Sequence, residues 1–361
     1  MHRRNIHYWK CDRPAAFHGT SPDPAQRATI QSSLESVIQT HLKKSHLQLK
    51  PADGQGIHLT WTAQLDGRPI FIRVAHGPES SAQLSVESTL LQKLASLQIP
   101  VPEVIATDDS RKQVPFGWQI LELIPHPDLN HWQKQGTLNT STIPFQIGQS
   151  IAQWQRVNVR GFGILELNPE GTLNAPHQGY SDYFHLNLER HLHFLRSNNF
   201  LPSIVVDQIN HCITASDHLT DLDQGCLVHK DLALWNILGT QDQVKAFIDF
   251  EDAISGDPSD DISLLACFHP APFILEVLKG FTSVKPLPLN FIHRFWLHLL
   301  RNMIVKAVIR VGAGYFHRSD AFFLIQQGSS GETLRAFTLD RIRRALDGLQ
   351  NNLPISTTSL P

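Results

Sequence analysis

Ile30, Leu34, Val37, Ile38 and Leu42 recur at intervals of three and four, the spacing of one helix face. Asp23 stands where an N-cap belongs, and Pro24 suits the first helical position. Residues 1–20 show no period. From Ile57 the period becomes two: Ile57, Leu59, Trp61, Ala63 and Leu65 alternate with His58, Thr60, Thr62 and Gln64, which predicts a strand. Asp66-Gly67 is a hairpin turn, and Ile70–Val74 is the return strand. A helix over 80–97 follows, with Leu84, Leu91 and Leu94 on one face, and Pro100 and Pro102 close that region. Val104–Ala106 and Trp118–Ile124 read as strands around the turn Asp108-Asp109-Ser110. The pattern so far predicts a small, mostly antiparallel sheet with one helix packed on it.

Beyond Pro125 the pattern turns helical, over 145–157, 183–197 and 205–219. A buried strand at Gly225–Val228 then runs into a polar loop, and Val244–Ile248 is a second short strand ending in Asp249. From Ile262 the chain is helical again, above all at 290–311 and 333–350, and the Ser/Thr/Pro-rich tail from Asn351 reads as frayed. The expected class is α+β in two lobes. Residues 1–45 form an extension with an amphipathic helix, 46–125 a sheet lobe, 126–350 a larger helical lobe and 351–361 a flexible tail.

Composition narrows this picture. Of 361 residues 41% are hydrophobic and 18% charged, with a net charge of −2, which excludes a disordered chain and disfavours a basic nucleic-acid binder. The most apolar stretch, 295–311, is broken by Arg301, Lys306 and Arg310, so no membrane span is expected. No apolar stretch follows the first residues, so no secretory signal is expected. Cys11, Cys212, Cys226 and Cys267 lie far apart without metal-ligand spacing, and read as reduced thiols of a cytoplasmic protein. The 20 histidines form no HExxH motif.

The chemistry concentrates in one block. His229-Lys230-Asp231-Leu232-Ala233-Leu234-Trp235-Asn236 has the form of a kinase catalytic loop, with Lys in place of Arg. Phosphoryl transfer needs a carboxylate to orient the attacking hydroxyl and take its proton. It also uses a carboxamide that can turn back onto a magnesium ion. Eighteen residues after Asp231, Asp249 ends an apolar strand, where a carboxylate can hold magnesium against the phosphates. Either half alone is modest evidence; in this order, on strand, loop and strand, the two reinforce each other.

With Ile248-Asp249-Phe250-Glu251 and Gly256-Asp257-Pro258-Ser259-Asp260-Asp261, this block resembles the aminoglycoside phosphotransferase and choline kinase superfamily. The approximate family pattern is HGDLxxxN, then iDfE, then GDPxxDla. Gly161-Phe162-Gly163 after a helix ending Ala152–Arg156, and Ile99–Val104, resemble it more weakly; the likeness spans roughly 46–350. It implies a protein-kinase-like fold, ATP or GTP with Mg2+, and a small-molecule hydroxyl acceptor. It further implies Asp231 as catalytic base, Asn236 and Asp249 as metal ligands, and Asp261 as the residue holding the catalytic loop beside His229. Glu251 and Asp252 would crowd Asp249 with like charge that a cation relieves; a solvated acidic turn is the plain alternative.

In the first lobe, Arg73 sits where the family usually has a phosphate-binding Lys, and Glu87, on the apolar face of its helix, is its expected partner. Asp53-Gly54-Gln55-Gly56 offers a thin phosphate loop through Gly54 and Gly56, and the backbone of Glu122, Leu123 and Ile124 would form the hinge. Only twelve residues separate Asp249 from Asp261, too few for a protein-kinase activation segment, so a small acceptor is favoured. Residues 263–361 carry eleven Lys/Arg against five Asp/Glu, which suits a sugar, amino alcohol or other metabolite better than an aminoglycoside; charges that only solvate outer helix faces are the plain alternative. Arg294, His298 and Arg301 share a helical face and, with Trp235, are the candidate acceptor contacts. Two rival readings are a non-catalytic pseudokinase, suggested by the thin glycine loop and Arg73, and a lipopolysaccharide-type sugar kinase. The oligomeric state is not legible.

Overall fold

Alternation builds the first lobe as expected. The computed structural model describes residues 24–43, 47–52, 58–76, 83–318 and 330–361. Helix α1 (Pro24–Leu42) precedes strands β1 (Lys50–Ala52), β2 (Leu59–Leu65) and β3 (Arg68–Ala75). Helix α2 (Gln83–Ser96) and strands β4 (Val104–Asp108) and β5 (Gly117–Glu122) complete the lobe. The sheet is antiparallel throughout, in the order β1-β2-β3-β5-β4. Asp66 and Gly67 join β2 to β3 with φ of 52° and 79°, the left-handed pair of a two-residue hairpin turn.

The two sheet faces do different work. Leu59, Trp61, Ile70, Ile72, Val74, Trp118 and Ile120 share one core with Ile30, Leu34, Val37 and Ile38 of α1. The helix expected to belong to an extension therefore packs into this lobe's core: its apolar stripe has a sheet face to cover. Strand parity sends the intervening Arg73 and its register partner Gln119 to the other face, toward α2.

The second lobe holds α3 (Leu129–Lys134), α4 (Thr142–Trp154), β6 (Gly163–Ile164), β7 (Glu166–Leu167) and β8 (Leu173–Asn174). It continues through α5 (Tyr180–Phe184), α6 (Leu188–Ser197), α7 (Ser203–Ala215), β9 (Cys226–Val228), β10 (Ile237–Gly239), β11 (Val244–Phe247) and β12 (Ile254–Gly256). Helices α8 (Asp260–Leu265), α9 (Ala271–Thr282), α10 (Phe291–Gly312) and α11 (Gly331–Asn351) close it. Gly148 of α4 and Gly280 of α9 let these helices touch; a Cβ at either would run into the other helix's backbone. Small sheets β6-β12-β9 and β10-β11 frame the catalytic loop.

Two expectations need correction. The helix read over 183–197 is broken: α5 ends at Phe184 and α6 begins at Leu188, with Asn187 left-handed at φ 58°. The tail is not frayed, because Ile355 and Leu360 are buried in the lobe's core and the Leu360 carbonyl accepts from the Ala271 N–H at 2.7 Å. Apolar side chains in the Ser/Thr/Pro segment found a surface to cover.

His269 sets part of the acid response. It is buried, stacked on Phe273 at 3.9 Å, and burial pushes its imidazole down to about 3, with the nearby Arg341 cation adding to the effect. The folded state thus holds it neutral, while the unfolded chain protonates near pH 6.5. Its contribution to stability is full above that value and is lost as pH falls toward 3. The buried carboxyl of Asp261, raised to about 6, acts in the opposite sense between about 4 and 6. His269→Gln isolates the histidine. From pH 6.5 to 4, urea unfolding of the variant should lose stability less steeply, by up to about 1.4 kcal/mol per pH unit. An unchanged slope would refute this assignment.

Candidate active site

The catalytic loop is suspended from buried groups. Asp261, at the start of α8 and fully buried, accepts from the backbone N–H of His229 at 2.9 Å and of Lys230 at 3.1 Å. The Trp154 indole N–H from α4 donates to the same carboxylate at 3.1 Å. Burial pushes the Asp261 carboxyl up to about 6, against the pull of the backbone N–H groups of His229 and Lys230, so it is ionised at neutral pH and all three donors are satisfied. His229 Nε2 donates to the Ile248 carbonyl at 3.0 Å, leaving Nδ1 to accept from the Asp231 N–H at 3.3 Å. One imidazole thus ties the loop that carries Asp231 to the strand that ends in Asp249.

Lys230 has φ 68°, at the position where the family pattern carries glycine. A left-handed conformation costs a residue with a Cβ about 1–2 kcal/mol. Here the side chain offsets it: Nζ reaches Asp260 at 2.7 Å and Asn302 at 2.8 Å, both buried. Asn302 in turn donates to Asp260 at 2.8 Å, so α10, α8 and the loop share one satisfied network.

The reacting end is half-open. The Asp231 carboxylate takes the Asn236 amide on Oδ2 at 3.2 Å and the Lys306 ammonium on Oδ1 at 2.9 Å. The Asn236 carbonyl accepts from the Ile248 N–H at 3.0 Å, which places Asn236 beside Asp249 across the β10–β11 hairpin. Asp249 is itself left-handed, at φ 66°. Burial, then the carboxylates of Glu251, Asp231 and Asp252, push its carboxyl up to about 6 against the pull of Arg73.

The first lobe meets this edge through an ion-pair chain. Arg73 pairs with Glu87, and also reaches Gln119 at 2.7 Å and Asp249 at 3.3 Å. Glu87, fully buried, accepts the Phe250 N–H at 3.0 Å on its other oxygen. Glu251 is latched rather than solvated. Its carboxylate meets His58 Nε2 at 2.7 Å, and Gln83 donates to its carbonyl.

Some expected contacts fall elsewhere. Arg294 and His298 turn inward onto Asp257, at 2.5 and 3.3 Å. Burial alone would raise that carboxyl; the His298 and Arg294 charges hold it well below the usual range. Arg301 is buried, donating to the carbonyls of Phe184 at 2.9 Å and Leu186 at 2.7 Å, and so it caps the break between α5 and α6. The shared helical face was read correctly but faces the core, since buried acids and helix ends need cations more than solvent does. Trp235 is half-buried, edge-on to Phe268 at 4.9 Å. In the hinge, the N–H groups of Glu122 and Leu123 are already bonded to the carbonyls of Glu103 and Pro69 at 2.9 and 3.3 Å. Gly54 and Gly56 lie outside the described residues.

Lys306, His58, Gln119 and Asn302 were not anticipated. Lys306 left a trace, a lone cation inside the apolar run Ile304–Ile309, which marks either a snorkelling residue or one with a polar target. The others carry no signal without the fold.

A divalent cation fits the donor set. One carboxylate crowded by like charge and one amide beside it suit a hard ion that takes its remaining ligands from phosphate and water. Among the described residues no group of three or more His, Cys, Asp or Glu could hold a metal ion by itself.

Residues 48–283 match the sequence model of the phosphotransferase enzyme family. No curated protein matches the chain. The crystal structure of aminoglycoside phosphotransferase APH(4)-Ia is similar to it at 15% identity, over 86% of this chain and 98% of that one, with a TM-score of 0.60. A mutant of that protein is described in a ternary complex with ADP and hygromycin B, at 16% identity, the same coverage and a TM-score of 0.59. Macrolide 2'-phosphotransferase MphH from Brachybacterium faecium is 14% identical over 78% of this chain and 93% of that one, with a TM-score of 0.55. Identities this low establish a common fold.

Proposed function

We propose, from the premise that this chain belongs to the phosphotransferase enzyme family, that it transfers the γ-phosphoryl group of ATP to a hydroxyl of a small molecule. The observation that carries this reading is the convergence of Asp231, Asn236 and Asp249 at one open edge, with Arg73 and Glu87 closing the far side.

Asp231 would orient the acceptor hydroxyl and take its proton. Arg73, held by Glu87 and Gln119, would bind phosphate oxygens. Asn236 and Asp249 would hold Mg2+, which supplies positive charge against the phosphates when bound. Asp261, His229 and the Trp154 indole keep the loop in place before substrate arrives, so little reorganisation is left for the reaction. A sugar, amino alcohol, aminoglycoside or related metabolite is the acceptor class, and GTP is the alternative donor. The relatives with ADP and hygromycin B support a nucleotide and a small polar acceptor by likeness. The free thiols Cys212, Cys226 and Cys267 support a reducing, cytoplasmic setting, and no described helix is long and apolar enough to cross a membrane.

Calorimetric titration of ATP, with and without magnesium, tests the nucleotide site. Wild type should bind in a magnesium-dependent way, and Asp249→Ala should lose at least tenfold in affinity, about 1.4 kcal/mol. Arg73 bridging to Asp249 gives the pseudokinase reading its one structural argument, because the cation sits against the metal carboxylate. A folded wild type that binds no nucleotide would favour that reading.

A further inference from the structure

Among the described residues Lys306 is the cation paired with the proposed base, and neither the family pattern quoted above nor the sequence reading assigns it a part. We propose that Lys306 is a catalytic residue: its ammonium stabilises the negative charge that the phosphoryl oxygens carry during transfer. The proposal rests on the phosphotransferase reading above and deepens it.

Three observations carry it. First, Nζ lies 2.9 Å from Asp231 Oδ1, with side-chain exposures of 16% and 30%. An acceptor oxygen must come within about 3 Å of the same carboxylate to give up its proton. The attacking oxygen, and the phosphorus it attacks, therefore lie within one small swing of the ammonium. Second, orientation alone does not call for a cation here, since Asn236 already holds the other carboxylate oxygen with a neutral amide at 3.2 Å. A full charge is of use beside the phosphoryl in flight, whose negative charge is spread over its three equatorial oxygens. Third, the lysine is delivered and steadied. Asn302 and Lys306 stand four apart on α10, one bonded to Lys230 of the loop and the other to Asp231. The ammonium also lies 5.5 Å from the centre of the Phe268 ring, itself braced edge-on by Trp235 at 4.9 Å. A cation–π contact holds the charge in place and leaves its donors free to turn.

The step balances without Lys306 giving up a proton. The acceptor oxygen–phosphorus bond forms as the bond from phosphorus to the β-phosphate oxygen breaks. ADP leaves with that electron pair, and the hydroxyl proton passes to Asp231. The ammonium carries three donors, so one can stay on Asp231 Oδ1 while another reaches a phosphoryl oxygen during the transfer.

Water serves as the acceptor in the test, so the natural acceptor need not be known. The variants are Lys306→Met and Lys306→Arg, in the full chain. Single-turnover ATP hydrolysis is followed alongside calorimetric affinity for ADP alone and for ADP with aluminium fluoride, a mimic of the phosphoryl in flight. Lys306→Met should lose at least tenfold in hydrolysis rate and tenfold in affinity for the mimic, with affinity for ADP alone held within twofold. Lys306→Arg should recover part of both losses. Unchanged hydrolysis and unchanged mimic binding in Lys306→Met would overturn the proposal. So would an equal loss of ADP and mimic binding with a lowered melting temperature, the mark of a tether between α10 and the loop. A folded wild type with neither nucleotide binding nor hydrolysis would instead overturn the phosphotransferase reading itself.

Discussion

Replacing Asp231 with Asn should lower phosphoryl transfer by about 10²–10⁴-fold, the usual worth of a positioned general base. The fold should survive. Asp231 is 30% exposed and faces the open edge, and the amide keeps the shape that Asn236 and Lys306 contact. Asn offers an acceptor oxygen but cannot take a proton at neutral pH. The hydroxyl would still be oriented and the nucleotide still bound, so the loss should fall on kcat and leave ATP affinity nearly unchanged. An ADP-release assay beside a thermal melt decides it. Full activity in a folded Asp231→Asn protein would remove the base from this site and with it the present mechanism.

Glu87→Ala should cost about 3–5 kcal/mol of stability, because it breaks a buried ion pair and leaves one partner behind. Arg73 keeps Gln119 and Asp249, so its charge is not wholly stranded; it is drawn onto Asp249, the proposed metal ligand. The Phe250 N–H, bonded to Glu87, loses its acceptor at the same time. The second expected result is therefore a loss of magnesium-dependent ATP binding larger than the loss of stability explains. The double variant Arg73→Met/Glu87→Leu separates the two effects. Apolar replacement of both partners should recover much of the stability, since the desolvation cost goes with the charges, and should recover none of the nucleotide affinity. Urea unfolding and calorimetry read the two quantities. Stability within 1 kcal/mol of wild type for Glu87→Ala would show that the pair is unimportant to the lobe.

Particular residues show what could be read from a linear chain. The alternation from Leu59 to Val74 set the strands, the Asp66-Gly67 turn and the face on which Arg73 stands. A carboxylate on an apolar helix face announced that Glu87 needed a cation. The order of Asp231, Asn236 and Asp249 pointed to kinase-like phosphoryl transfer, which arranges such groups on a loop and a following strand. In the structure these groups lie together at one edge.

Other features depended on what lies opposite. Arg294, His298 and Arg301 have a face by periodicity, but whether it meets solvent, substrate or Asp257 is decided by packing. The stripe of α1 predicts burial without naming the sheet face that it covers. Ile355 and Leu360 look like residues of a loose tail until a core cavity admits them. Lys306 is one more basic residue on a mixed helix until α10 lies across the catalytic loop.

Local periodicity, turn chemistry and motif order are properties of neighbouring residues, and the sequence by itself determined them: the two-lobed class, the hairpins and the acidic core of the site. Other partners lie far along the chain. Glu87 meets Phe250, His58 meets Glu251 and Lys306 meets Asp231 only after long loops close. Tertiary structure alone decided those pairings, because a charge leaving water is satisfied by whichever group the fold brings within about 3 Å, and no spacing in the sequence records that distance.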